Sequence, residues 1–481
     1  MTSGSSSDNN VTRISLSNSN SDEKQTDPEE EFFPPKEALD EHDPNTDGGY
    51  AWVVCAACVL LNFCTWGMNS GFAIYFAYYI KHQSFAGADK LDYSYIGGIA
   101  FGAGIFFSPL ITVCMGLFGF KPVLIVGNCL QFTALMLASW STKLWQLYLT
   151  QGLMQSFGLA FLSIPTLTLL PQWFKKRRVL AGGIASAGSG LGGVVFNLAM
   201  QKVVDRSGVR WALRAQSIIG FGLTWIAIIA ARSKASKHHI EFNFIDITVL
   251  KTAGFYLLLF FVLTCIFGYV IVLYTLSNFT QSLGYSEHQG AIVSAMVQVG
   301  SFFGRPTVGY LSDKLGAASV ATVAYYIVGI FCLAMWIPAR NYATVIAFAI
   351  IEGAFMGSIY AIIAPLMAQT FGLRKMNVVF AKVWTFMGIA GIFSPVIGVK
   401  LVKGDGAGVD PTSYRNCSIF TGVMFLASAT TMLIMRGYLK ARDRIISKDG
   451  KVDSDKVDIT QVSVPFLDVF THLFAIGGAK A

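Results

Sequence analysis

The sequence predicts an all-α, polytopic membrane protein with twelve transmembrane helices in two six-helix bundles, and three observations carry that expectation. Of its 481 residues 53% are hydrophobic and only 13% charged, about half the roughly 25% charged of an average soluble domain. With 38 phenylalanines and a mean hydropathy of +0.54, the apolar content exceeds what globular cores can hide beneath a polar surface. Apolar stretches then recur from Tyr50 onward, each long enough for a hydrocarbon layer of about 30 Å. Finally, the longest and most polar connection between them, residues 232–252, divides the stretches six and six.

Residues 1–47 hold twelve acids against three bases and little apolar surface, so they are expected to form a disordered acidic tail. No basic start followed by a short apolar core precedes the first stretch, which is therefore expected to direct insertion itself. The expected spans are 50–79, 95–118, 122–141, 145–170, 179–200, 212–231, 253–277, 290–311, 318–338, 342–368, 379–399 and 415–435. These group into an N-terminal bundle (48–231), a linker (232–252), a C-terminal bundle (253–436) and a tail (437–481). The loops are too short for a soluble catalytic domain. An even number of spans puts both tails on one side. The basic clusters Lys175 to Arg178, Arg232 to Lys251 and Arg436 to Arg444 mark that side as cytoplasmic, although Lys202, Arg206, Arg210 and Arg214 lie opposite.

The net charge of +8 averages an acidic tail with a body carrying +17, and a basic excess beside apolar spans points to lipid headgroups rather than nucleic acid. The eight cysteines are scattered through the apolar runs as small fillers. Cys55 and Cys58 match a CxxC pattern, and Gly188 to Gly193 match GxGxxG. Both lie inside spans, without the strand, acid or partner residues that redox or dinucleotide sites need. The pair His238-His239 has no further metal-ligating partner, so no metal, cofactor or catalytic residue is expected. Val464 onward has the alternation of a short amphipathic interfacial segment or a loose regulatory tail.

Sixteen acids lie beyond residue 47, and one of them, Glu352, falls well inside a span, ten residues in and near mid-bilayer at about 1.5 Å per residue. An ionisable group at that depth is a functional candidate, either accepting a proton or pairing with a buried cation. The cation available is Arg305 in the eighth span, whose planar guanidinium suits a carboxylate and stays charged in a cavity. Asn69, Tyr75, Asn197, Gln298, Tyr360, Trp384 and Ser394 are further polar or aromatic candidates for a cavity lining.

A repeat links the halves. After the eighth span the chain runs Gly309-Tyr-Leu-Ser-Asp313-Lys314-Leu-Gly316, and after the second it runs Gly116-Leu-Phe-Gly119-Phe-Lys121, a copy without the acid. The organisation over about 50–435 resembles the major facilitator superfamily, whose loops between spans two and three and spans eight and nine carry this motif. The resemblance implies that Gly309, Asp313 and Gly316 belong to a gate, and an Asp there can cap a neighbouring helix and latch the halves. A narrower resemblance rests on Asp47-Gly48-Gly49-Tyr50-Ala51-Trp52 entering span one, and on Arg177-Arg178-Val-Leu-Ala-Gly-Gly183 leading to Gly188 in span five. Together these are similar to the two signatures of the monocarboxylate transporter family, in particular its fungal permease-like branch.

That resemblance implies a carrier working by alternating access, with Arg305 on the substrate carboxylate, since Ser301-Phe-Phe-Gly-Arg305-Pro306 is similar to the family's Asp-x-x-x-Arg-Pro segment. Ser301 replaces the family's Asp, and Asn69-Ser70 falls where the family has a Lys. Substrate binding is therefore assigned to Arg305, Asn69 and Ser301, and proton coupling to Glu352 in place of the missing acid. The expected solute is a small organic anion, moved by uniport or with a proton. A bulkier solute such as riboflavin, or a non-transporting nutrient sensor, are the alternatives. Membrane lipid and an accessory membrane subunit are the other expected partners, and the plasma membrane, or else the vacuolar membrane, is the expected location.

Overall fold

The computed structural model describes residues 47–85, 87–174, 177–234, 247–402, 410–448 and 464–473. The acidic tail 1–46, Lys175, Lys176, His238, His239 with most of the expected linker, and much of the expected tail 437–481 lie outside the described residues.

Among the described residues nine helical segments qualify as membrane crossings by length and apolarity, or ten when Lys90–Phe106 and Ser108–Phe118, bent by 48°, count as one. Two features raise the number to twelve. The 53-residue helix Arg178–Ala230 is two rods meeting at Gly208, whose φ of 81° and ψ of 168° only glycine adopts without strain. Glu287–Leu315 is long enough to cross, but Glu287, Arg305, Asp313 and Lys314 dilute its apolarity. The rods are α1 (Tyr50–Ile80), α2 (Lys90–Phe106 with Ser108–Phe118), α3 (Phe120–Ala138), α4 (Leu144–Gln172), α5 (178–207) and α6 (209–230). The second set is α7 (Ala253–Ser282), α8 (Glu287–Leu315), α9 (Ala317–Trp336), α10 (Tyr342–Gly372), α11 (Val378–Leu401) and α12 (Arg415–Lys448). A short helix, α13 (Phe466–Thr471), follows.

Polar residues at the ends set where the helices start and stop. Asp89 and Asp92 form a reciprocal cap that starts α2 at Lys90, five residues ahead of the expected 95. Ser286 and Gln289 do the same for α8, with bonds of 2.9 and 3.2 Å. The twelfth helix runs well beyond the expected 435 because its polar extension finds partners. Arg442 donates to the carbonyls of Thr370 (3.0 Å) and Gln369 (3.1 Å), satisfying C-terminal carbonyls of α10. Next to it, α13 packs Val469 against Gly437, Arg436 donates to the Leu473 carbonyl, and Arg444 meets the His472 ring at 2.9 Å.

Close packing runs through small residues, since in lipid helices associate by contact rather than by hydrophobic expulsion. A methyl group at Gly188 would sit 2.1 Å from the Val59 carbonyl oxygen, and one at Gly183 would sit 2.7 Å from the Arg305 carbonyl oxygen. Thus α5 lies against α1 on one side and against α8 on the other. A second seam joins α2 to α11, where a methyl at Gly98 would be 2.1 Å from the Ile392 carbonyl oxygen and one at Gly102 2.2 Å from that of Gly388. These two seams, α5 with α8 and α2 with α11, bring the first six rods against the second six.

Candidate solute-binding site

Between the seams lie two clefts that share one wall residue, Trp66. Trp66 belongs to a π-helical turn, Phe63–Gly67, a local widening of the helix common at functional positions. The inner cleft is lined by the tail-side ends of α4, α5 and α10, including Thr166, Arg178, Ser186 and Pro365. The outer cleft is lined by Asn69, Ser70, Ser189, Tyr269, Tyr274 and Gln298. Aromatic rings separate them: Trp66 lies 5.5 Å from Tyr360 and 5.2 Å from Phe101, and Tyr269 lies 5.9 Å from Tyr360.

Arg305, 2% exposed, sits at this partition. Its Nη1 donates to the Ser186 carbonyl at 2.6 Å and to the Ser189 hydroxyl, and its Nη2 lies 3.5 Å from the Tyr269 hydroxyl. The guanidinium carbon is 5.5 Å from the Tyr360 ring centre. Its Nε is buried without an acceptor, and a methyl at Gly357 would fall 2.7 Å from that atom, so glycine in α10 leaves room for the head group. Among the described residues no carboxylate lies within ion-pair distance of it. Neutral hydroxyls and a carbonyl solvate the cation without neutralising it, and a buried charge left so is costly. Because Ser186 lines the inner cleft while Ser189 and Tyr269 line the outer one, Arg305 touches the walls of both.

At the tail-side end, the start of α5 is held by carboxylates from two directions. Asp47 accepts from the backbone N–H of Arg177 at 3.2 Å and donates its own N–H to the Trp173 carbonyl at 3.1 Å. Asp313, at the end of α8, accepts from the N–H of Leu180 at 3.0 Å. Trp52 meets Phe174 edge-on at 5.1 Å, and Arg178 donates to the Phe174 carbonyl at 3.0 Å. Gly49 (φ 51°) and Gly316 (φ 92°) supply the left-handed turns at the ends of these segments. A methyl at Gly309 would sit 2.8 Å from the Val179 carbonyl oxygen.

The family profile of the Major Facilitator Superfamily matches residues 55–395, and a second match covers 256–479. The chain belongs to the Major Facilitator Superfamily. It is a membrane transporter and not an enzyme. Over 84% of its length it is 44% identical to the Probable transporter MCH2 of Saccharomyces cerevisiae, covering 86% of that protein. It is 32% identical to the Uncharacterized transporter ESBP6 of the same yeast, over 82% of this chain and 60% of that one. The Aspyridones efflux protein apdF of Emericella nidulans is 29% identical over 77% of this chain and 75% of its own.

In this facilitator the expected site residues fall in different places. Arg305, Asn69, Gln298 and Tyr360 meet at the clefts. Ser301 does not: its hydroxyl donates to the Gly353 carbonyl at 2.9 Å and ties α8 to α10. Glu352 is fully buried but lines neither cleft. Its Oε1 accepts from the Cys332 thiol at 3.2 Å and its Oε2 has no partner, so the expected pairing with a buried cation is replaced by a thiol contact inside the second set of helices. Tyr75 donates to Gln216, and Ser394 to the Phe267 carbonyl at 3.0 Å, both in helix packing. Sequence reasoning passed over Ser186, Ser189, Tyr269 and Trp66. The i, i+3 spacing of the two serines, on the face of α5 turned to α8, was a usable signal.

Proposed function

We propose that this transporter moves a small organic anion, most simply a monocarboxylate, with Arg305 holding the carboxylate between two bundles, 48–231 and 253–436, that rock about the midplane. The observation that carries this reading is a guanidinium buried at the partition of two clefts with no carboxylate beside it among the described residues. An incoming carboxylate takes the guanidinium fork and supplies the missing counter-charge. Asp47, Gly48, Gly49, Trp52, Arg177 and Arg178, with Gly309, Asp313 and Gly316, form the tail-side gate around the start of α5. Gly183 and Gly188 form the surface on which it slides. Glu352 carries the coupling proton, acting through the α9–α10 packing rather than by touching the solute. The plasma membrane is the location this reading assigns.

The aspyridones efflux relative, together with the mainly apolar inner cleft, favours a second reading: outward movement of a bulkier organic molecule. One experiment separates them. Cells lacking endogenous carriers, expressing wild type, Arg305→Gln or Glu352→Gln, are tested for uptake of labelled short monocarboxylates at two external pH values. In a parallel arm they are preloaded with a bulky aromatic acid and followed for export. The first reading expects saturable uptake lost in Arg305→Gln, and pH dependence lost in Glu352→Gln with the transport cycle otherwise intact. Export alone, insensitive to Arg305→Gln, would replace it with the second.

A further inference from the structure

Two carboxamides from opposite halves of the protein face the outer cleft, Asn69 of α1 and Gln298 of α8. They are 9% and 4% exposed, and neither makes a side-chain hydrogen bond among the described residues. A carboxamide that borders a cleft without a protein partner has its N–H₂ and C=O available to a bound group. The unmatched polarity continues behind them. Both amide atoms of Asn197, 1% exposed on α5, lack partners, and so does the Ser294 hydroxyl one turn before Gln298.

The space for Gln298 is built into the backbone. A methyl at Gly193 would fall 2.5 Å from its Cγ and 2.8 Å from its Cδ, and 2.8 Å from the Ser70 hydroxyl oxygen. Glycine there lets the amide and the hydroxyl stand side by side at the cleft wall. Seven residues further along α8 comes Arg305, about 10 Å along the helix axis. Its partners Ser189 and Tyr269 line the same cleft. One small molecule can therefore reach from the guanidinium to the amides.

We propose that the outer cleft is a second subsite, in which Asn69 and Gln298 bind a neutral hydrogen-bonding group, a hydroxyl or an amide, at the far end of a solute whose carboxylate sits on Arg305. This inference rests on the carboxylate reading for the Arg305 end alone. The amides themselves select a group that both donates and accepts, since each carboxamide offers an N–H₂ and a C=O. The transporter thereby prefers bifunctional acids, such as hydroxy acids, to plain acids of equal length.

The test uses purified full-length protein and equilibrium binding of three probes of matched length: hexanoate, 6-hydroxyhexanoate and 1,6-hexanediol. In the wild type 6-hydroxyhexanoate is expected to bind about tenfold more tightly than hexanoate, the effect of one matched neutral hydrogen bond. Gln298→Leu, close in volume, brings the ratio of the two acids' affinities to about one. Gln298→Met, which keeps the length and removes both the N–H₂ and the C=O without adding a charge, gives the same loss and serves if the leucine variant does not fold. Equal binding of the two acids in the wild type, or a preference that survives both variants, overturns the subsite. Binding of the diol with loss in Gln298→Leu, while neither acid binds, overturns the carboxylate reading and leaves the subsite standing. Binding of none of the three overturns both.

Discussion

Arg305 shows how a single charge can be kept in an apolar span. Its head group is solvated by a carbonyl and a hydroxyl of α5 and approached by the Tyr269 hydroxyl, and Gly357 leaves space beside its Nε. Lysine retains the charge but not the planar fork, so Arg305→Lys is expected to raise the half-saturation concentration for a carboxylate by about 10- to 100-fold, the range of one or two charge-assisted hydrogen bonds. Gly357→Ala offers a second route to the same deficit with the arginine intact, because the added methyl would fall 2.7 Å from Nε and displace the guanidinium. Concentration-dependent uptake by the two variants, with surface expression measured in parallel, checks both. If Gly357→Ala transports normally while Arg305→Lys fails, position matters less than the number of donors.

At the level of single helices, α5 is the element on which most of the organisation converges. Its N-terminus is capped by Asp47 from the segment before α1 and by Asp313 from the end of α8, so one helix end is tied to both halves. A side-chain cap is worth about 0.5–2 kcal/mol, which under the proposed gating role makes the Asp313 bond strong enough to bias the gate and weak enough to break in each cycle. Asp313→Ala should therefore shift the protein toward a state open to the tail side, and Asp313→Asn, which still accepts a hydrogen bond, should lie near the wild type. Faster thiol labelling of an Ala368→Cys probe in the inner cleft, in the alanine variant alone, is the expected result.

The helices themselves were legible because length and apolarity identify a span without regard to its neighbours. What escaped was facing. A span that is apolar all round has no polar stripe to tell lipid from protein. Hence Ser301 and Glu352, both buried in helix contacts, could not be told from Asn69 and Gln298, which border a cleft. The capped starts at Lys90 and Glu287, and the run of α12 to Lys448, escaped for another reason: polar end residues terminate an apolar run without terminating the helix.

For the molecule as a whole, the two seams are what must separate if the bundles rock as proposed. On the tail side of α2 and α11, the Ser108 hydroxyl donates to the Ala381 carbonyl at 3.1 Å and the Thr385 hydroxyl to the Phe106 carbonyl at 3.2 Å. On the outer side, the Tyr274 hydroxyl of α7 donates to the Gly97 carbonyl of α2 at 3.3 Å, and its ring lies 5.7 Å from Phe72 of α1. Contacts at both ends describe a closed arrangement around the clefts, so the proposed cycle has to break one set while keeping the other. Linking Ser108→Cys to Ala381→Cys with a short bifunctional thiol reagent should stop transport completely by holding the tail side shut, and a reductant-cleavable linker should restore it. Six of the eight native cysteines are buried, leaving Cys114 and Cys129 to be replaced by serine beforehand. A matched link between Tyr326→Cys and Thr430→Cys, positions in contact at 3.2 Å within the second set of helices, should leave transport intact. Transport that survives the first link would mean that solute passes without separation of α2 from α11, and the rocking of two bundles would have to give way to movement of individual helices.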